Sequence, residues 1–185
     1  MRTFIAIDIP SEVKDALAAL QNELRGAGAD VAWVNPESIH ITLKFLGEIE
    51  KKRISEVEQV CVKSGEESPT FKLSLNGPGV FPNPRHPRVL WVGLSGDVRP
   101  LERLQEQLEE RLAAIGFDPE EMDFRPHLTI GRVKSNRNAG ELIAQAERYS
   151  VPALSFLVEE IVVMKSDLHQ EGAIYKKLSA AKLKV

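Results

Sequence analysis

In "ESIHITLKFLG", residues 37 to 47, Ile41 and Leu43 alternate with His40 and Thr42 in the manner of a half-buried β-strand. The apolar pair faces one side, and an imidazole and a hydroxyl share the other. "FRPHLTIGRVK", residues 124 to 134, repeats the arrangement with His127 and Thr129 on one face and Leu128 and Ile130 on the opposite one. The chain has four histidines (His40, His86, His127, His169) and four threonines (Thr3, Thr42, Thr70, Thr129), and half of each set falls into this one pattern, His-x-Thr-apolar. The two copies lie 127 − 40 = 87 residues apart in a chain of 185, which fits a site assembled from two related halves.

The segments around the two motifs alternate between strand and helix signals, with no Gly/Ser-rich or Pro-rich linker to divide them. "TFIAIDI" (3 to 9) predicts a strand. Ser11 then reads as a helix N-cap before Val13, Leu17, Leu20 and Leu24, with "GAG" (26 to 28) as the stop. "VAWV" and "IHITLKFLG" follow as strands. A helix on Ile54, Val57, Val60 and Cys61 leads to strands at "TFKLSLNG" and "RVLWVGL", and "PGVFPNPRHP" between them reads as irregular loop. In the second half, Leu101, Leu104, Leu108, Leu112 and Ile115 mark a helix closed by Gly116. "PHLTIGRV" is a strand, "AGELIAQAERY" a short helix, "LSFLVEEIVVMKS" one long strand and "IYKKLSA" the last. Strands that follow one another without a helix favour an α+β fold of antiparallel sheets over a doubly wound parallel one. The order strand, helix, strands, helix, strands occurs about twice. The expectation is one bilobal domain over 1–185, two interleaved pseudo-symmetric lobes of antiparallel sheet flanked by helices, each bringing one motif to a central cleft.

Composition narrows the function classes. Forty-three per cent apolar and 28% charged residues describe a globular chain. A net charge of −3 argues against a protein that grips long duplexes through phosphate neutralisation, and for a small local site. One cysteine, Cys61, excludes an internal disulfide and a cysteine zinc cage, and its helical pattern predicts a buried spectator thiol. "MRTFIAIDIP" meets Asp8 and Pro10 before a signal core or membrane span could form, so no membrane association and a cytoplasmic location are expected. His86 and His169, in "NPRHPR" and "DLHQEG", lack ligand spacing and read as surface histidines. No metal site and no cofactor are expected.

Two imidazoles with unperturbed pKa values near ~6.5 can serve as general acid and general base on opposite sides of a reacting centre. Threonine hydroxyls can donate to non-bridging oxygens as charge develops. In-line displacement at phosphorus needs both kinds of group.

The doubled motif resembles the two-histidine phosphoesterase superfamily. "RTFIAIDIP", "HITLKFLGE", "RVLWVGL", "FRPHLTIGRVK" and "SDLHQEGAIYKKL", in that order, resemble its bacterial and archaeal RNA 2′,3′-cyclic phosphodiesterase branch, also called 2′-5′ RNA ligases. The resemblance implies a positively charged central cleft and metal-independent hydrolysis of a terminal 2′,3′-cyclic phosphate on RNA to a 2′-phosphomonoester, with 2′-5′ ligation as the reverse reaction. It implies His40 and His127 as the acid–base pair, and Thr42 and Thr129 as phosphate clamps. Near-symmetry leaves the division between the histidines open, with a lean to His40 as acid and His127 as base. Arg132 takes the place of an arginine that follows the second motif in many members. Its parity is wrong for the cleft unless a bulge at Gly131 re-aims it. Lys44 has the parity to join His40 and Thr42, and Arg125 could line the rim. Trp33, Trp91, Phe4, Phe45, Phe81 and Tyr175 are the aromatics from which a base-stacking residue could come. The expected partners are RNA ends or small cyclic nucleotides, acted on by a monomer. The rival readings are another enzyme of the superfamily, acting on ADP-ribose cyclic phosphate, a 2′-5′ oligoadenylate or an RNA 3′ end, and a non-catalytic RNA-end binder.

Overall fold

The structure, a computed structural model, describes all residues from Met1 to Val185. Nine strands and four α-helices form two antiparallel sheets with helices packed on them, the α+β arrangement that the pattern predicts. The first sheet has the order β3-β1-β8-β9, from β3 (His40–Glu48), β1 (Arg2–Asp8), β8 (Glu160–His169) and β9 (Gly172–Lys182). The second has the order β2-β6-β5-β4-β7, from β2 (Val31–Trp33), β6 (His127–Val133), β5 (Val89–Gly96), β4 (Phe71–Phe81) and β7 (Ser155–Val158). One motif strand therefore lies in each sheet.

The helices seal the sheet faces turned away from the motifs. In α1 (Ser11–Arg25), Val13, Leu17, Leu20 and Leu24 are buried at helical spacing, and α3 (Val98–Ala114) does the same with Leu101, Leu104, Leu108 and Leu112. The second helix, α2 (Ile54–Glu67), lies against β8 and β9, and α4 (Ala139–Arg148) lies against β4. Ile5, Ile7, Ile41 and Leu43 from the first sheet and Leu90, Val92, Leu128 and Ile130 from the second join the helix residues in one continuous apolar core. Cys61 belongs to it, and burial pushes its thiol up to about 12, so it stays a neutral packing group. No helix is long and apolar enough to cross a membrane.

Four local expectations are corrected. Ser11 is the first helical residue rather than the cap; the carbonyl of Pro10 opens the helix by accepting from the amides of Val13 and Lys14. The "PGVF" part of the expected loop is strand: β4 runs to Phe81, with Pro78 admitted at a register irregularity between Leu75 and Pro78, where a missing N–H costs no ladder bond. The single long strand expected over 154–166 is two strands parted at Glu159, and they belong to different sheets: β7 pairs with β4, and β8 with β1 and β9. Period-2 alternation marks a strand but carries no information about which sheet receives it. His169, expected in a loop, ends β8.

Candidate active site

The residue preceding each histidine by two positions sets the direction of its ring. His40 donates from Nδ1 to the Ser38 carbonyl at 2.7 Å, and His127 donates from Nδ1 to the Arg125 carbonyl at 2.6 Å. A carbonyl only accepts, so both Nδ1 atoms carry hydrogen and both Nε2 atoms are left for chemistry. At His40, Nε2 lies 2.9 Å from Thr42 Oγ1, which donates to it when the ring is neutral. Both His-x-Thr pairs line one cavity of about 580 Å³ between the sheets. The structure thus brings His40, Thr42, His127 and Thr129 together.

Beyond each threonine the strand has one extra residue. In β3 the register against β1 slips between Ala6↔Thr42 and Ile5↔Lys44, leaving Leu43 unmatched. In β6 the register against β5 slips between Trp91↔Thr129 and Leu90↔Gly131, leaving Ile130 unmatched. A bulge reverses the facing of the side chains that follow it, up to any further bulge. It turns Arg132 into the cavity, although the unmatched residue is Ile130 and not Gly131, where the bulge was expected and which pairs with Leu90, and it turns Lys44 out of it. Lys44 is therefore no cleft contact. It is buried at 3% exposure, paired with Glu109 at 3.0 Å and donating to the Asp118 carbonyl at 2.7 Å, and it ties β3 to α3 and the loop beyond. Phe45 takes the cavity-facing place instead, with the Arg2 guanidinium 4.5 Å from its ring centre. Arg125 enters the site only through its carbonyl; its exposed side chain is not part of the cavity wall.

The bulged carbonyls have helix partners. Gln21 of α1, almost fully buried, donates from Nε2 to Ile130 O at 2.8 Å and to Val34 O at 2.7 Å. Gln105 of α3 is placed equivalently, with Nε2 a long 3.5 Å from Leu43 O and 3.2 Å from Glu109 Oε1. The Ile130 carbonyl also accepts from the Val34 amide at 3.0 Å, so Gln21 is a second donor that ties α1 to the bulge and to Val34, and Gln105 reaches towards the bulged carbonyl of β3 from α3.

The ring environments differ. Phe4 and Tyr175 flank His40, at centroid distances of 4.8 and 5.2 Å, and Phe81 meets His127 edge-on at 5.1 Å. Burial pushes the His40 pKa below its ordinary 6.5; the bond to the Ser38 carbonyl and the charge of Asp8 oppose the shift, and Lys14 and His127 reinforce it. Trp91 pairs with Thr129 in register and lies on the Cα of Gly79, where a Cβ would come 2.3 Å from its ring, and it does not line the cavity. Trp33 lines an adjoining cavity. Sequence reasoning left out Arg2, which lies two positions before Phe4 in β1 and shares its face, and Gln21, whose polar side chain sits among the apolar positions of α1. No group of three or more His, Cys, Asp or Glu side chains is gathered in a way that could hold a metal ion.

Residues 9–170 match the family model of the 2′-5′ RNA ligase superfamily. Over 99% of both chains, the protein is 35% identical to an RNA 2′,3′-cyclic phosphodiesterase of Methanothermobacter thermautotrophicus. It is 37% identical to one of Thermotoga maritima over 96% of this chain and 93% of that relative. Among solved structures, TT0787 of Thermus thermophilus superposes with a TM-score of 0.81 at 27% identity, over 99% of this chain and 98% of the other. E. coli LigT complexed with 3′-AMP shares the fold, with a TM-score of 0.77 at 24% identity over 100% of this chain and 98% of the other.

Proposed function

The chain belongs to the 2′-5′ RNA ligase superfamily, and on that premise we propose that it opens the 2′,3′-cyclic phosphate at an RNA end, leaving a 2′-phosphomonoester. The observation that carries this reading is the convergence of two Nε2 atoms and two threonine hydroxyls, one pair from each sheet, on one cavity. One neutral imidazole takes a proton from water as its oxygen bonds to phosphorus. The bond from phosphorus to the ribose 3′ oxygen breaks, and the other ring, protonated, gives that oxygen its proton. Thr42 and Thr129 donate to the non-bridging oxygens, and Arg132 and Arg2 supply positive charge to a reaction that gathers negative charge. No step in this scheme requires a metal. With an RNA 5′-hydroxyl in place of water, the same displacement forms a 2′-5′ linkage.

Small 2′,3′-cyclic nucleotides satisfy the same cavity, so both they and RNA ends are proposed substrates. Residues 1–185 act as one bilobal unit in this proposal, working as a monomer in the cytoplasm, where RNA ends are processed. The deciding experiment is incubation with cyclic-phosphate-terminated RNA in the presence of chelator, with the product identified. A 2′-phosphate supports the proposal. A 3′-phosphate would reassign the leaving oxygen, and activity that vanished with chelator and returned with metal would end the metal-free scheme.

A further inference from the structure

Beyond His40 and Tyr175 the reaction cavity continues into a second space of about 1110 Å³, larger than the roughly 300–1,000 Å³ of a site for one small ligand. The two share Arg132, Val34, Ser38, Ile39, Ala173 and the two rings just named. Its walls differ in chemistry. On one side β6 runs out from Thr129 to Arg132 and the chain continues past the strand's end to Lys134, which lines the second space and not the first. Both cations are exposed and neither has a carboxylate within ion-pair distance. Residues 132 and 134 are two apart in extended chain, about 6.6 Å of advance along one line. On the other side the β8–β9 hairpin presents Ile174, 58% exposed although apolar, with Glu171 at its turn. The remaining acidic groups of this space, Asp8 and Glu37, are engaged by Lys14, at 3.1 Å to Asp8 and 3.9 Å to Glu37.

We propose that this second cavity holds the RNA strand leading to the reacting end, with Lys134 on the internucleotide phosphate next to the cyclic one and Ile174 against the adjoining base. The inference rests on the proposed cyclic phosphodiesterase reading and deepens it. A single strand offers phosphates to cations and base faces to apolar side chains, and the second space holds both kinds of group, Arg132 and Lys134 on one side and Ile174 on the other. In an RNA whose last ribose carries the cyclic phosphate, the nearest further charge is the phosphate on that ribose's 5′ side. Lys134 is the first cation beyond Arg132 in the outward direction. The protein is therefore built to prefer an oligonucleotide end to a free cyclic mononucleotide.

The test compares kcat/KM for a 2′,3′-cyclic mononucleotide with that for a short oligoribonucleotide ending in the same cyclic phosphate, at several salt concentrations. Wild type is expected to favour the oligonucleotide. Lys134→Ala lowers only the oligonucleotide value, several-fold and through KM, and Lys134→Glu lowers it further. Lys134→Ala also flattens the salt dependence by about 0.7 in log–log slope, one single-strand phosphate contact. Ile174→Ser reduces the same preference without changing that slope. Because these positions are exposed, the unchanged mononucleotide rate serves as the check on folding. Equal losses on both substrates, or none, would overturn the inference, as would wild type without preference. If wild type opened neither substrate, the function proposal itself would fail and this one with it; mononucleotide turnover without preference sinks only this one.

Discussion

The His40 half of the cleft and the His127 half share a backbone plan and differ in what hangs on it. Each histidine donates from Nδ1 to the carbonyl two residues earlier, each has a threonine two residues later, and each strand bulges at the third residue, with a helix glutamine by the bulged carbonyl. After the bulge the halves part. The fourth position is Lys44 in one and Gly131 in the other, and the fifth is Phe45 in one and Arg132 in the other. In the His127 half the motif strand itself brings charge to the cavity. In the His40 half Phe45 occupies that place and the charge comes from Arg2 on the neighbouring strand. On the proposed mechanism the halves are alike where protons move and unlike where substrate is held. That division suits a displacement at phosphorus, in which acid and base are interchangeable in kind but water lies on one side and a ribose on the other.

The largest effect that can break this picture is at the shared positions. His40→Ala and His127→Ala are each expected to lower kcat by about 10²–10⁴-fold, and the double variant by little more than either, because acid and base act in one step. A single variant that kept most of its turnover would end the pairing. Next come the fourth positions, which hold the bulges by different means. Lys44→Met leaves the Glu109 carboxylate, at 18% exposure, without its buried partner, and should cost about 3 kcal/mol in urea unfolding. Gly131→Ala places a methyl 2.7 Å from Val31 Cγ1 and 3.3 Å from the Trp33 ring, and should cost about 1–3 kcal/mol. It should also lower turnover by displacing Arg132, whereas the loss in Lys44→Met should be chiefly in stability.

The contrast between those two positions also explains what could be read from the sequence. The strands, the core faces of α1 and α3, and the four residues of the two motifs follow from periods of 2 and 3.6 and from the repeat itself. Arg132 could be recovered because a glycine, Gly131, stands beside the bulge at Ile130. Leu43 makes the equivalent bulge with no glycine beside it, so parity sent Lys44 to the wrong side and hid Phe45. Sheet membership is likewise invisible to local pattern: the chain between Val158 and Glu160 crosses from one sheet to the other inside what reads as one apolar run. Gln21 and Arg2 act through partners more than 40 residues away in sequence, Ile130 and Phe45, which no window of neighbouring residues contains.

Smaller effects sharpen the comparison. Thr42→Ala and Thr129→Ala should each lower kcat by about 10²-fold as a phosphate donor is lost. They should differ in a second readout. Thr42 lies 2.9 Å from the reactive nitrogen of its own histidine, so its removal also changes the proton affinity of His40 and shifts a limb of the pH profile; Thr129→Ala should leave the limb set by His40 in place.

The division of roles between the rings rests on the last and finest difference, the lowered proton affinity of His40 in the free protein. The pH dependence of kcat/KM reports groups in the free enzyme, and that of kcat reports groups in the complex. If His40 is the acid it must be protonated, and because its free-enzyme pKa lies below 6.5, kcat/KM falls with rising pH from below that value. The bound phosphate, an anion beside the ring, favours the imidazolium and carries the corresponding limb of kcat to higher pH. If His40 is the base it must be neutral, and kcat/KM then persists as pH falls through 6.5 and is lost only on further acidification. His40→Ala in the first case removes the alkaline limb from the residual activity, and in the second the acid limb. A profile measured on both histidine variants keeps the assignment from resting on the wild-type curve alone, whose apparent values belong to the coupled pair.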